Sequence, residues 1–497
     1  MKPSFAEFRD MARRGNTIPL YEAIPFDGRS ALSCYERIES PSFSYVLEGL
    51  DAWGSKGRYT FVGWEPFLVI TIRNSKVELI HEGEREVHEG VTDPLPLLRR
   101  WLGAFRLVPS PDLPLFQGGL VGYLSYEAVR RWERLPALSP SARDPLEGVF
   151  ASCRQMMVFD LKEHKATAVY LAYIGQGEEL SALYAKGCGE VEKTLEMLSR
   201  PAAETRRPQP FCVSAVTSNL ERESFEQAVH KAKEYIHRGD IFQVVLSQRF
   251  SAAYQGHDFS LYRRLREVNP SPYLFYLNLG EVRLIGSSPE TLIRSRGGRI
   301  TLRPIAGTRP RGRDGEEDRV LEQELLADPK ERAEHVMLVD LARNDAGRVS
   351  SPGSVRVTRF MEVERFSHVM HIVSEVEGRV REGFDRFDAF RAAFPAGTVS
   401  GAPKIRAMEI IAELEPHPRD AYAGAVGYFG FNADMDFCIT IRTIVIEKDR
   451  LFVQAGAGIV YDSSPRKEYE ETLHKASALL EVLQGNGKGG RHASGYR

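Results

Sequence analysis

The stretch FEQAVHKAKEYIHRGDIFQVVLSQRF, residues 225–250, decides the fold class. Phe225, Ala228, Val229, Ala232, Tyr235 and Ile236 recur at helical spacing, so its first half predicts an amphipathic helix. Gly239 is placed to end that helix. The apolar run from Ile241 to Phe250 then predicts a buried strand. Helix, glycine stop and buried strand in one short segment point to a mixed architecture.

Working outward, short strand-like runs dominate the first 200 residues, among them Ser44–Leu47, Tyr59–Val62, Leu68–Ile72 and Met156–Phe159. The polar, proline-rich RPAAETRRPQP at 200–210 reads as a linker or long loop. Beyond it, strands (Arg283–Ile285, Phe437–Ile446, Leu451–Ala455) alternate with helices (Arg319–Leu326, Arg332–Leu341, Ser464–Leu483). The closing residues, 484–497, are expected to be disordered. The predicted class is α+β, or mixed α/β, with much antiparallel sheet. An N-terminal lobe is expected over 1–200 and a catalytic domain over 211–483. No GxGxxG follows a strand and no GxxxxGK[ST] occurs, so nothing favours a dinucleotide or P-loop fold.

Composition removes other classes. The formal charge of -2 on 497 residues disfavours a nucleic-acid binder. Five widely spaced cysteines without a CxxC argue against a disulfide scaffold and a zinc site. No apolar run suits a bilayer and the first residues lack a signal-peptide core, which predicts a cytoplasmic protein without membrane contact.

Four features carry candidate chemistry. Glu331 and Glu334 lie three apart in one predicted helix, as do Glu468 and Glu471 in another, with Lys475 four beyond Glu471. Residues at i and i+3 share a helix face, and two such faces brought together present four carboxylates to a hard cation such as Mg²⁺. By spacing alone two solvated helix faces are the commoner outcome. PAGTVSGAPKIRAMEII, 395–411, opens as an irregular loop bearing Thr398 and Ser400, with a helix starting near Lys404. In QAGAGIV, 454–460, Gly456 and Gly458 suggest close approach of backbone to a ligand, or a bulge. Gln243, His371 and Arg442 are lone polar residues in apolar runs. Each alone is most often a satisfied core group. Together they suggest an anionic small molecule.

From about 215 to 480 these segments resemble the chorismate-utilising enzymes. The carrying motifs are GDIFQVVLSQR, SSPETLIR, RPIAGTRPRG, ERAEHVMLVDLARND, PAGTVSGAPKIRAMEII, GAVGYFG and IRTIV. Upstream, RYTFVG (58–63) and GGLVGYLSYE (118–127) resemble the family's regulatory lobe. The resemblance implies a large two-lobed structure of stacked, mostly antiparallel sheets. Family members that activate water carry Lys where this chain has Gln243, and an amide is no base. Members with a covalent lysine read PIKGT, where this chain has Ala306. His371 resembles the histidine of the anthranilate-forming members.

That likeness implies a lyase in tryptophan biosynthesis that aminates chorismate with ammonia and then expels pyruvate to leave anthranilate. It makes Glu290 the general acid, His371 a helper in the elimination and Thr398 a catalytic-loop residue. Gln243, Thr308, Tyr422, Arg442, Gly456, Gly458 and Lys475 would bind substrate. Glu334 and Glu471 would hold Mg²⁺ with Glu331 and Glu468 close by. No amidotransferase nucleophile motif is present, so glutamine-derived ammonia is expected from a separate small subunit. The rivals are an enzyme releasing an aminodeoxychorismate or aminodeoxyisochorismate product, and a non-catalytic metabolite binder.

The resemblance also implies feedback by tryptophan at Glu48, Gly49, Pro272, Tyr273 and Leu274. Regulated members carry serine where this chain has Gly49. The missing hydrogen bond is expected to cost about 0.5–1.5 kcal/mol. Tryptophan is therefore expected to bind more weakly here, and Gly49→Ser to tighten it.

Overall fold

The computed structural model describes residues 1–26, 31–38, 42–50, 57–136, 146–199, 211–366 and 369–484. The expected linker at 200–210 and the tail from 485 lie outside them. The architecture is mixed, with a large, almost wholly antiparallel sheet system flanked by helices. No helix among the described residues is long and apolar enough to cross a membrane.

The segment that opened the reading folds as Arg222–His237, a helix, followed by the long strand Gln243–Gly256. Gly239 adopts φ +80 just past the helix, a conformation that costs glycine little. Strand Gln243–Gly256 runs antiparallel to Arg450–Ile459, with Val245 opposite Gly458 and Ser247 opposite Gly456. At its start, Gln243 and Val244 pair with Ala402 and Gly401 of the 395–411 loop.

Strands from the two halves of the chain are joined. Ser44–Leu50 pairs with Tyr273–Asn278, and Gly119–Leu124 pairs with Ala425–Gly430. Tyr273–Asn278 explains its apolar composition by facing two cores. Tyr273, Phe275 and Leu277 enter one, and Leu274 and Tyr276 the other. A strand buried on both faces needs no polar alternation.

One expectation is corrected. Phe437–Ile446 is not a single strand but two, Met435–Ile439 and Thr443–Glu447. The first pairs with Thr291–Arg296 and the second with Val282–Ser288 and Arg450–Ile459. Between them Thr440 bonds Ala423 and Gly424, and Arg442 takes φ +51. The backbone bonds that a continuous ladder would need are spent on this crossing, and apolar periodicity does not report it.

Candidate active site

Two helices bring the carboxylates. Pro329–Gly347 begins where Asp328 accepts from the N–H groups of Lys330 and Glu331, with Pro329 in the first turn. Pro465–Leu483 follows Ser464. Glu334 is pushed up from the ordinary carboxylate range by burial and then by Glu331, and Lys475 pulls it back. Glu468 is raised by burial, with Glu471 adding to it and Lys330 and Lys475 opposing. The same two lysines thus act on carboxylates of both helices, so the pairs share one region. Lys475 bonds Glu471 at 2.7 Å and the Gly456 carbonyl at 3.1 Å.

Among the described residues no three acidic, histidine or cysteine side chains converge into a ready-made metal cage. Mg²⁺ is usually held by one or two protein carboxylates, completed by waters and substrate oxygens. Glu334 and Glu468, each held at the cost of burial beside a second carboxylate, suit that chemistry, because a cation relieves both costs. Gln243 donates from Nε2 to Glu334 at 3.4 Å, and its buried Oε1 has no partner among the described residues.

Glu290 sits in the two-residue gap between strands Val282–Ser288 and Thr291–Arg296. Its carboxyl is pushed up to about 8, by burial above all, with Thr398 and Lys475 opposing. Thr398 has a buried hydroxyl short of a well-formed hydrogen bond. It lies in the turn Gly397–Val399, ahead of helix Lys404–Leu414. A carboxyl neutral at pH 7 and facing a hydroxyl is suited to donate a proton.

His371 lies on strand Val369–Arg379. The register against strand Ile305–Pro310 slips between Ala306 and Arg309, and this lifts Gly307 and Thr308 out of the ladder. The Gly307 carbonyl then lies 2.8 Å from His371 Nδ1, and the Thr308 hydroxyl 3.1 Å from it. A carbonyl only accepts, so Nδ1 carries the proton and Nε2 keeps its lone pair. Burial lowers the imidazole's affinity for a second proton, and Arg442 lowers it further.

Arg442 is half-buried, and its guanidinium donates to the Lys475 carbonyl. Gly456 and Gly458 are closely approached by Tyr422 and Gln243. A Cβ on Gly456 would meet the Tyr422 hydroxyl at 2.8 Å, and one on Gly458 would meet Gln243 Nε2 at 2.5 Å. All fourteen catalytic, substrate and metal candidates therefore fall into one connected neighbourhood.

Sequence reasoning missed Arg419, in EPHPRD. It is 2 % exposed, forms an ion pair with Glu415, and donates to the carbonyls of Val399 and Val245 at 2.7 Å. Glu415 in turn accepts from the Ser247 N–H and hydroxyl. Arg419 thus pins the Thr398 turn to the Gln243 strand, with Tyr422 against its guanidinium. The missed signal is an arginine set among prolines directly after a helix.

The regulatory candidates divide. Gly49, Pro272 and Tyr273 line a small cavity with Thr291, Arg294, Thr301 and Arg303. Glu48 instead accepts from Tyr262 at 2.6 Å and Arg266 at 2.8 Å, and Leu274 packs in the other core. The geometry opposes the expected benefit of serine at 49. Gly49 has φ +90, and a Cβ there would collide with the Pro272 carbonyl oxygen.

The profile of the chorismate binding enzymes matches residues 46–481. Anthranilate synthase component 1 of Synechocystis sp. is 43 % identical, covering 97 % of this chain and 99 % of its own length. The protein of the same description from Aquifex aeolicus is 44 % identical, covering 97 % of each chain. Anthranilate synthase component I from Streptococcus pneumoniae TIGR4 superposes with TM-score 0.76 at 37 % identity, over 92 % of this chain and 99 % of the other. The menaquinone-specific isochorismate synthase of Escherichia coli superposes with TM-score 0.69 at 20 % identity, over 96 % of this chain and 99 % of the other, a likeness of fold.

Proposed function

The chain belongs to the chorismate binding enzyme family, and from that premise we propose that it forms anthranilate and pyruvate from chorismate and ammonia. The observation that carries the reading is Glu290, a buried carboxyl protonated at neutral pH within reach of the Thr398 hydroxyl and the Lys475 charge.

Arg442 is suited to grip a substrate carboxylate bidentately. Ammonia adds to C2 of the ring while the C4 hydroxyl departs, and Glu290 supplies the proton that lets it leave as water. Gln243 offers no base toward water, which leaves ammonia as the nucleophile. In the second step His371 Nε2, unprotonated and oriented through Nδ1, assists removal of the C2 proton. The C3–O bond breaks, pyruvate leaves and the ring becomes aromatic. Glu334 and Glu471, with Glu331 and Glu468 beside them, are the residues to hold Mg²⁺. When bound, it supplies positive charge for the substrate carboxylate.

The relatives are called component 1, which implies a partner component. A glutamine amidotransferase is the natural source of that ammonia. The segment before residue 200, with the Gly49–Pro272–Tyr273 cavity at its junction to the rest, is the candidate place for tryptophan feedback.

Anthranilate fluorescence from chorismate, Mg²⁺ and ammonium tests the reading, with products identified by mass. Anthranilate that disappears on chelation supports it. An aminodeoxychorismate end product, or no turnover, overturns it.

A further inference from the structure

His335 follows Glu334 on the helix Pro329–Gly347 but points the other way, fully buried against strand Val369–Arg379. Its Nε2 lies 2.6 Å from the hydroxyl of Ser374, which is also fully buried and stands three residues beyond His371. Ser374 is itself fixed. Its oxygen accepts from the Met361 N–H at 2.9 Å. Met361 presents that N–H from φ +53, where the register of strand Arg356–Arg365 slips between Arg359 and Glu362. A non-glycine residue in the left-handed region costs about 1–3 kcal/mol and persists where the surroundings demand it.

The hydrogens can be counted. A serine hydroxyl has one proton to give, and the acceptor that the described residues offer it is His335 Nε2. Were Nε2 protonated instead, the serine proton and the Nδ1 lone pair would both be orphaned in the core. With Ser374 donating, only the Nδ1–H is left without a partner. The bonding therefore runs Met361 N–H to Ser374 Oγ–H to His335 Nε2, in one direction, through one spot.

We infer that His335 is a positioning residue that locks the helix bearing Glu331 and Glu334 onto the strand bearing His371. The inference rests on the proposed function, in which those carboxylates hold Mg²⁺ and His371 serves the elimination. The link is short. Glu334 is the neighbour of His335, and Ser374 stands three residues from His371 on the same strand, the two side chains on opposite faces of it. Hydrophobic contacts also press the helix to the sheet, but they permit sliding, whereas one directional hydrogen bond between buried partners fixes register. A residue that orients a metal-holding group changes metal affinity or activity by about 10–100-fold when lost.

The test compares His335→Leu, which keeps bulk and loses the acceptor, with His335→Gln, whose amide oxygen can accept from Ser374. Mn²⁺ binding is titrated by electron paramagnetic resonance without ammonium, so that no turnover intervenes. Anthranilate formation is then measured against Mg²⁺, and thermal melting reports folding. His335→Leu is expected to bind Mn²⁺ at least about tenfold more weakly and to need correspondingly more Mg²⁺, with His335→Gln within about threefold of the parent. If His335→Leu folds too poorly to assay, Ser374→Ala must show the same weakening from the other side of the bond. The inference is overturned if the folded variants bind Mn²⁺ like the parent, or if the leucine and glutamine forms are equally impaired. A parent protein that binds Mn²⁺ yet makes no anthranilate would instead count against the proposed function, with the Mn²⁺ titrations still deciding the role of His335.

Discussion

Gln243 donates from its side-chain amide to Glu334 at 3.4 Å, so the residue expected to disfavour water chemistry also touches a candidate metal carboxylate. Gln243→Lys would place an ammonium against Glu334. The fixed cation would compete with Mg²⁺. The Mg²⁺ concentration for half-maximal activity should rise at least about tenfold, equivalent to about 1.4 kcal/mol. An unchanged Mg²⁺ dependence in the lysine form would show that the contact has no bearing on metal.

Glu290 makes a pH prediction with a definite sign. Its folded value, about 8, lies above the ordinary carboxylate range. The acid is therefore loaded at neutral pH, and turnover should fall as pH rises through about 8. Glu290→Gln should lose roughly 10²–10⁴-fold in kcat and lose that alkaline limb. Stability moves oppositely. The folded state holds this proton more tightly than the unfolded chain, so the carboxyl favours folding at low pH and loses that advantage between the unfolded value and about 8. Glu290→Gln should accordingly melt higher than the parent at pH 8.5, with the gap closing toward pH 4.5. A variant with parental kcat and parental melting behaviour at pH 8.5 would remove Glu290 from the mechanism.

His371→Met should separate the two steps. Methionine keeps an apolar fit on the strand but cannot donate to the Gly307 carbonyl or accept the C2 proton. The variant is expected to consume chorismate and ammonium and accumulate the amino intermediate, with anthranilate formation down by about 10²-fold or more. Rapid-quench analysis with chromatography reads both species. Anthranilate formed at the parental rate would leave His371 a packing role.

How much of this was legible depended on whether a signal was local. The helix at 222–237 and the strand after it announced themselves by period, and each Glu-x-x-Glu pair by its i, i+3 spacing. What those pairs face was not legible, because Lys330 and Lys475 reach across from helices about 140 residues apart in sequence. The break at Thr440–Arg442 was hidden by an apolar run that continues through it. Arg419 was missed because its distant partners, the Val399 and Val245 carbonyls, are backbone groups that every residue possesses, and its pair with Glu415 four residues earlier looks like any local ion pair. The pairing of Ser44–Leu50 with Tyr273–Asn278 joins segments whose composition says only that both are buried.

At Gly49 local likeness and geometry disagree. By likeness, a serine at 49 adds a hydroxyl for an effector and tightens tryptophan inhibition. By geometry, the backbone there has φ +90 and runs against the Pro272 carbonyl, so any Cβ must displace main chain rather than a pliable side-chain end. The strain of a side chain in that region, about 1–3 kcal/mol, offsets or exceeds the roughly 0.5–1.5 kcal/mol that one neutral hydrogen bond returns. The displaced carbonyl also belongs to the wall of the cavity, next to Tyr273, whose hydroxyl bonds Thr291 at 2.9 Å and Asp436 at 2.8 Å. Thr291 adjoins Glu290. Pushing the Pro272 segment therefore disturbs the cavity and, one residue further, the proposed acid Glu290. Gly49→Ser is expected to melt lower than the parent, to be inhibited by tryptophan no more tightly, and to lose some turnover without tryptophan present. Melting curves and anthranilate formation against tryptophan concentration measure all three. A serine form of parental stability and turnover with tighter inhibition would mean that the 48–50 strand relaxes to admit the side chain, and would return the position to the expectation drawn from likeness.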